Sequence, residues 1–192
     1  MEINHSRTQQ IIVKEDDKSA VDQRAYSDEM HAMKEFAFLQ LLGDNHPHVS
    51  GQICCLVDEN QNLYYSVMKF RGYDLSDYIF SSSQCFSEDF CRNLFNQLVC
   101  GMEYLQSFGI CHRDLSIENL TYDPETDSLS IIDYGMALLL PRDPLTGDVQ
   151  LIPPSGSLGK SHYMPPEILA NRDPLNGFLS DHWNLGIILF LS

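Results

Sequence analysis

Apolar residues along the chain follow two periods, which separate strand-like from helix-like segments. Residues 10–14 are short and rich in β-branched side chains, which predicts a strand, and the charged run after them predicts a loop. Over residues 28–42 apolar side chains recur every three positions, which predicts an amphipathic helix ended by Gly43. Two further strands are predicted over 52–57 and 63–70. Together these segments form a small α+β unit.

The chain beyond residue 70 predicts a second, more helical unit. Helices are predicted over 74–80, 87–108 and 181–191, and short strands over 120–122 and 129–132. Residues 133–167 contain six prolines, and a long segment of this kind inside a compact domain is usually a functional loop. We therefore divide the chain into residues 1–70 and residues 71–192.

Composition and charge restrict the function classes. The 192 residues are 43% hydrophobic and 20% charged, as in ordinary globular proteins. Twelve lysines and arginines stand against 27 acidic residues, so the net charge is −15 and nucleic-acid phosphates would be repelled. We expect no nucleic-acid partner.

The chain has neither the apolar core of a signal peptide nor an apolar run near the roughly 20 residues that span a bilayer. We expect no membrane partner. The six cysteines show no CxxC pair and no zinc-ligand spacing. Reduced thiols, and hence an intracellular, cytoplasmic location, are the simplest interpretation.

Four short motifs follow one another in the second half of the chain. They are His112-Arg113-Asp114 with Asn119, Asp133-Tyr134-Gly135, Met164-Pro165-Pro166-Glu167, and the segment DHWNLG at 181–186. In this order they resemble the eukaryotic protein kinase family. The resemblance implies an α+β, protein-kinase-like fold with two lobes. It covers nearly the whole chain.

The resemblance implies a role for each polar residue of the first two motifs. Asp114 would be the base that takes the proton of the acceptor hydroxyl, while Asn119 and Asp133 would hold Mg²⁺. Oxygen ligands of this kind suit a hard cation. Asp181 would hydrogen-bond the backbone near His112, although a role as a helix cap is also possible.

The first half of the chain would then bind ATP. The resemblance assigns Lys14 to the lysine that contacts the phosphates and Glu35 to its helix partner. Backbone groups of Met68, Lys69 and Phe70 would meet the adenine.

Some expected features are missing from this sequence. The first glycine is Gly43, so the glycine-rich loop over the phosphates is not found, and the sequence stops inside the large helix of the second lobe. We therefore expect a kinase-like fold truncated at both ends. Glu167 lacks its usual arginine partner, and we expect either that it is exposed or that its surroundings are disordered. Ile12 and Thr121 would make the adenine slot tighter on one side and more polar on the other.

Ser116 stands where the family usually has the catalytic-loop lysine, and Lys160 stands where it usually has a threonine. One hypothesis is an exchange, in which Lys160 reaches the site beside Asp114 and Ser116 and restores the positive charge. The alternative is that Lys160 is solvated and Ser116 is a simple loss. The sequence leaves both open.

Arg113 beside Asp114 is typical of family members controlled by phosphate on the activation segment, defined here as residues 133–167. Ser155, Ser157 and Thr146 are the candidate positions for an upstream kinase.

Three functional interpretations result. The first is an ATP- and Mg²⁺-dependent kinase acting on serine or threonine of protein substrates, because residues 114–119 lack the Ala-Ala-Arg insertion of tyrosine kinases. The second is a catalytically silent pseudokinase that acts as a binding scaffold. The third is a truncated gene product that does not fold alone.

Overall fold

A computed structural model describes residues 10–17, 31–61, 63–82, 86–154, 160–170 and 172–191. Its helices and sheets confirm the α+β class. Within the described residues, no helix is both long enough and apolar enough to cross a membrane. The division at residues 1–70 and 71–192 stays a prediction.

The first half of the chain builds a three-stranded antiparallel sheet. Its strands are β1 (Ile11–Asp17), β2 (Gln52–Asp58) and β3 (Leu63–Lys69), in the order β1-β3-β2. The predicted loop after residue 14 is wrong, because the charged run continues β1 and pairs with β3 as far as Asp17 opposite Leu63. The backbone partners supplied by β3 override the polarity of these side chains.

Helix α1 (His31–Leu42) lies against β2, as the period of apolar residues predicted. Leu39 and Leu42 are buried, and the residues before His31 in the predicted helix lie outside the described residues. Gly43 follows with φ 55° and donates its N–H to the carbonyl of Leu39, which ends the helix at the expected residue.

The second half is mainly helical, and side-chain caps set where its first two helices begin. Helix α2 (Leu75–Ser81) is capped by the carboxylate of Asp74, and α3 (Glu88–Ser107) by the hydroxyl of Ser87. Both helices start one residue later than predicted, since the predicted first residues are the caps. The described residues also contain the short helix α4 (Pro166–Ala170) and the longer helix α5 (Gly177–Leu191).

The start of α5 corrects the predicted boundary at residue 181. The helix begins at Gly177, and the Asn176 side chain accepts the N–H of Phe178 at 3.0 Å. A Cβ atom at Gly177 would lie 2.6 Å from Cys111 Sγ, so the helix start packs directly against the strand before the catalytic loop. Asp181 is therefore inside the helix and is not its cap.

Short strands position the loops between the helices. They are β4 (Tyr73–Asp74), β5 (Ile110–Cys111), β6 (Leu120–Asp123), β7 (Ser128–Ile131) and β8 (Leu138–Leu139). The order β4-β6-β7 forms one sheet, and β5 pairs with β8. Strand β8 is regular structure inside the segment that was predicted as a loop, because β5 supplies a partner for its backbone.

The main apolar core extends from α1 through the second half of the chain. Its members share complete or nearly complete burial; among the largest are Leu42, Leu98, Met102, Leu105, Ile110, Leu115, Leu120, Leu129, Ile131 and Tyr134. One apolar face of α3 supplies Leu94, Leu98, Met102 and Leu105 to this core. The core therefore holds the strands and loops that carry the polar motifs.

Gly72 is the position where the backbone after β3 leaves no room for a side chain. Its φ is 97°, and a Cβ atom would lie 2.3 Å from the Tyr122 carbonyl. Gly147 also has a positive φ, 76°, but a Cβ there would meet nothing within 4 Å.

We expect Gly72→Ala to lower the free energy of unfolding in urea by more than Gly147→Ala does. Both substitutions introduce backbone strain of about 1–2 kcal/mol, and the contact with Tyr122 adds about 1–3 kcal/mol of overpacking. Equal destabilisation of the two variants would show that the strand β6 backbone moves freely away from Gly72.

Candidate active site

The loop that contains His112, Arg113 and Asp114 is held by a buried carboxylate of α5. Asp181 is fully buried and accepts the backbone N–H groups of His112 and Arg113, both at 2.8 Å. Burial raises the pKa of Asp181, while these donors act in the opposite direction. The predicted contact between Asp181 and this loop is thus present.

Asp114 and Asn119, the predicted base and metal ligand, are hydrogen-bonded to each other. Asn119 Nδ2 donates to the Asp114 carboxylate at 3.0 Å and to the Asp114 carbonyl at 2.6 Å. Since the amide nitrogen is used in this way, the Asn119 oxygen remains as an acceptor for a cation. A 3₁₀ turn over Ile117–Asn119 closes the loop and brings the two side chains together.

Lys14 and Glu35 form an ion pair between strand β1 and helix α1. The Glu35 side chain is 15% exposed and that of Lys14 40% exposed, so the pair lies at the border between the core and an open cleft. The two residues are 21 positions apart in the sequence. The structure therefore brings together the two residues that were assigned to the phosphates.

Asp133 follows β7 and lies in a strained turn. Its φ is 64°, a conformation that residues other than glycine rarely adopt, and its carboxylate accepts the N–H of Gly135 at 3.1 Å. Such outliers often mark functional sites. The next residue, Tyr134, is fully buried and donates its hydroxyl to the Ile131 carbonyl at 3.0 Å, which anchors the turn.

An open cleft of about 420 Å³ contains Lys14, Glu35 and Asp133 in its lining. The same lining includes Ile12 on one side and Thr121 on the other, the two positions expected to shape an adenine slot. We call this space the main cleft.

The end of β3 contributes Met68 and Lys69 to the lining of the main cleft, whereas Phe70, which follows the strand, does not line it. The N–H of Phe70 is bonded to the Gln10 carbonyl at 3.0 Å. Arg71 and Gly72 line the cleft instead, and the sequence analysis missed both. An Arg-Gly pair directly after a strand was the only available signal.

Arg71 also fastens this segment to the loop after α1. Its guanidinium pairs with the Asp44 carboxylate and donates to the carbonyls of His46 at 3.1 Å and Pro47 at 3.0 Å. His46 in turn stacks on Tyr104 of α3, with ring centroids 4.5 Å apart. These contacts link the first half of the chain to the second beside the main cleft.

The side chain of Lys160 lies against the catalytic loop, residues 111–119. Its Nζ donates to Ser116 Oγ at 2.5 Å and to Glu118 Oε2 at 3.3 Å. Arg113, Asp114 and Lys160 line one small cavity of about 10 Å³ next to this contact. The structure thus brings together the three residues predicted as catalytic, Asp114, Ser116 and Lys160.

The candidate regulatory positions are only partly described. Ser155 and Ser157 lie outside the described residues, and Thr146 lies in an exposed turn where its hydroxyl accepts the N–H of Asp148 at 3.2 Å. Within the described part of the chain, no carboxylate pairs with the guanidinium of Arg113, and burial lowers its pKa. Glu167 is exposed, as expected.

The polar groups around the main cleft suit a magnesium nucleotide. One carboxylate, Asp133, and one amide oxygen, Asn119, are too few for an all-protein metal site, and no cluster of three metal-ligating side chains occurs among the described residues. Mg²⁺ is usually held by one or two side chains together with substrate phosphates. Lys14 adds the positive charge that such phosphates require.

Comparison with known proteins agrees with this geometry. The family model described as protein kinase domain matches residues 1–192. A probable serine/threonine-protein kinase HSL1 from Saccharomyces cerevisiae is 40% identical over 134 residues, which are 69% of this chain and 8% of that protein. CBL-interacting protein kinase 26 from Oryza sativa subsp. japonica is 32% identical over 82% of this chain and 30% of that protein.

A solved structure shows the same fold. One chain in the crystal structure of the yeast RNA Pol II CTD kinase CTDK-1 complex aligns with a TM-score of 0.73 and 26% identity, over 93% of this chain and 53% of that chain. The present chain thus spans less than a third of the length of the two curated relatives and about half of the solved chain. From its motifs, its fold and these matches, the chain belongs to the eukaryotic protein kinase family.

Proposed function

We propose that this protein is an ATP- and Mg²⁺-dependent kinase that transfers the γ-phosphate to serine or threonine hydroxyls of protein substrates. The observation that carries the proposal is the hydrogen bond from Asn119 to the Asp114 carboxylate, beside a cleft that contains Lys14, Glu35 and Asp133. Phosphoryl transfer needs positioning and charge neutralisation more than covalent chemistry, and these five residues supply both.

The nucleotide would enter the main cleft with its phosphates toward Lys14. Glu35 orients the Lys14 ammonium, and the oxygens of Asp133 and Asn119 would hold the metal. When bound, Mg²⁺ neutralises the charge of the phosphate oxygens. Met68 and Lys69 would border the adenine together with Arg71, while Phe70 is turned to other contacts.

The acceptor hydroxyl would lie at Asp114. The hydroxyl oxygen forms a bond to the γ-phosphorus of ATP. The bond from that phosphorus to the bridging β–γ oxygen breaks, and its electron pair leaves with ADP. The hydroxyl proton passes to the Asp114 carboxylate and then to solvent. The hydrogen bonds from Asn119 hold that carboxylate in one orientation.

Serine or threonine acceptors are proposed on two grounds. Residues 114–119 lack the tyrosine-kinase insertion, and the relatives named above carry serine/threonine kinase or protein kinase in their names. The proposal extends to an intracellular, cytoplasmic location, since ATP is available there and the five described cysteines are free thiols.

Phosphate on the activation segment would complete the regulation that Arg113 suggests. Its partly buried guanidinium is placed beside Asp114 and is available to an added anion. An upstream kinase acting on Thr146, Ser155 or Ser157 is the partner proposed for this step.

We expect Mg²⁺-ATP, but not Mg²⁺ alone, to raise the melting temperature of the protein. Ligand at 100 times its dissociation constant stabilises the folded state by about 2.7 kcal/mol. In a domain of this size, each kcal/mol raises the melting temperature by about 2–4 °C. Differential scanning fluorimetry measures the shift.

The control is Asp133→Asn, which removes the metal-binding carboxylate at an exposed position. This variant should melt near the wild-type temperature and lose most of the shift with Mg²⁺-ATP. A cooperative melt without any shift in the wild type would contradict nucleotide binding and would favour the scaffold interpretation.

The role of Asp114 as the base is tested by substitution. Asp114→Asn keeps an acceptor for Asn119 but cannot take a proton, so kcat for phosphate transfer to a protein substrate should fall about 10²–10⁴-fold. The KM for ATP should change little. Asp173→Asn removes one exposed carboxylate elsewhere and should leave kcat unchanged; equal activity of both variants would refute the role of Asp114.

A further inference from the structure

We propose that Lys160 supplies, from the activation segment, the lysine ammonium that the catalytic loop itself lacks, and that it acts on the transferring phosphoryl group. This inference rests on the proposed kinase function and adds a catalytic residue to it. Ser116 is then the hydroxyl that positions the Lys160 ammonium.

The contact between the two side chains is the first argument. Ser116 is fully buried, and its Oγ accepts from Lys160 Nζ at 2.5 Å across 44 residues of sequence. A lysine that is simply solvated would leave its ammonium in water and would not meet a buried hydroxyl. The side chain of Lys160 is 35% exposed, so it reaches inward along part of its length.

The surroundings of the ammonium are the second argument. Lys160 lines the same small cavity as Asp114 and Arg113, so it faces the space beside the proposed base. Residues 113–118 contain no lysine. Arg113, the other cation at this cavity, belongs to the anchored backbone turn held by Asp181. Lys160 is therefore the cation best placed to meet a phosphate that approaches Asp114.

The third argument is the carboxylate of Glu118, which holds the Lys160 ammonium without occupying all of its hydrogen-bond donors among the described residues. Glu118 accepts from Nζ at 3.3 Å, and its pKa is lowered by hydrogen bonds from its own backbone, Ser116 and Lys160, against the raising effect of burial. An ammonium has three donors, and the described residues accept two of them. The third donor and the flexible stem allow contact with a phosphate oxygen.

The segment that carries Lys160 is attached to the catalytic loop by a second contact. The Tyr163 hydroxyl accepts the N–H of Ile117 at 3.3 Å, and the Tyr163 N–H is bonded to the Lys160 carbonyl at 2.9 Å. Tyr163 is buried. It follows that the charge is present at the site only while residues 160–163 are docked, which makes phosphate transfer depend directly on the position of the activation segment.

In the transfer step, Lys160 neither gains nor loses a proton. The acceptor oxygen bonds to the γ-phosphorus, the bond to the bridging oxygen breaks toward ADP, and the hydroxyl proton goes to Asp114. The ammonium stabilises the negative charge on the oxygens of the moving phosphoryl group. Its effect should consequently appear in kcat and only weakly in nucleotide binding.

The experiment measures kcat for transfer from Mg²⁺-ATP to a protein substrate, together with the dissociation constant for Mg²⁺-ATP, in the full-length protein. Lys160→Met removes the charge and the hydrogen bonds, whereas Lys160→Gln removes the charge but can still donate to Ser116. We expect both variants to lose about 10²–10³-fold in kcat, with the dissociation constant changed less than about threefold. The exposed cation Arg172, changed to methionine, is the matched control and should keep wild-type kcat.

The decisive variant is a double substitution that returns the positive charge to the catalytic loop. Ser116→Lys combined with Lys160→Thr should recover at least about tenfold in kcat over Lys160→Met, because the ammonium then enters the same site from the opposite wall. Wild-type kcat in both Lys160→Met and Lys160→Gln overturns the inference and leaves the kinase function standing. Activity retained only in Lys160→Gln also overturns it, since a tether without charge would then suffice. A wild-type protein that binds Mg²⁺-ATP but transfers no phosphate overturns both proposals.

Discussion

The buried carboxylate of Asp181 is the interaction on which the arrangement of the site depends. Its two oxygens satisfy the backbone N–H groups of His112 and Arg113, and each would cost about 1–3 kcal/mol if it were left unpaired in the core. Arg113 has a φ of 68°, so the same hydrogen bonds hold the loop in a strained turn. The hydrogen bonds within the loop, from Asn119 to Asp114, then act on a backbone that Asp181 already holds.

The side chain of His112 connects that turn to the end of strand β7, which Asp133 follows. His112 is buried, and its Nε2 lies 3.1 Å from the Ile132 carbonyl. Its Nδ1 accepts the N–H of Asp114 at 3.4 Å. The two contacts together require the tautomer that carries its proton on Nε2. Its ring also packs against Tyr134, with centroids 5.7 Å apart. One buried histidine therefore couples the proposed base to the proposed metal ligand.

The charges of the site come from distant parts of the chain. Lys14 meets Glu35 from a different element, and Lys160 meets Ser116 from the activation segment. Each pair joins a flexible cation to a group that the core holds still, so the cation is positioned without being fully desolvated. In both pairs, the rigid partner rather than the cation determines the geometry.

The motifs and the main helices could be read from the sequence because they rest on local spacing. The starts of α2 and α3, predicted to within one residue, and the short distance from Asp114 to Asn119 depend on residues close in the chain. Other features needed the folded molecule: the extension of β1, the helix start at Gly177, the place of Arg71 in the main cleft, and the contact between Lys160 and Ser116. Each of these is decided by a partner far away in sequence, and periodicity carries no information about such a partner.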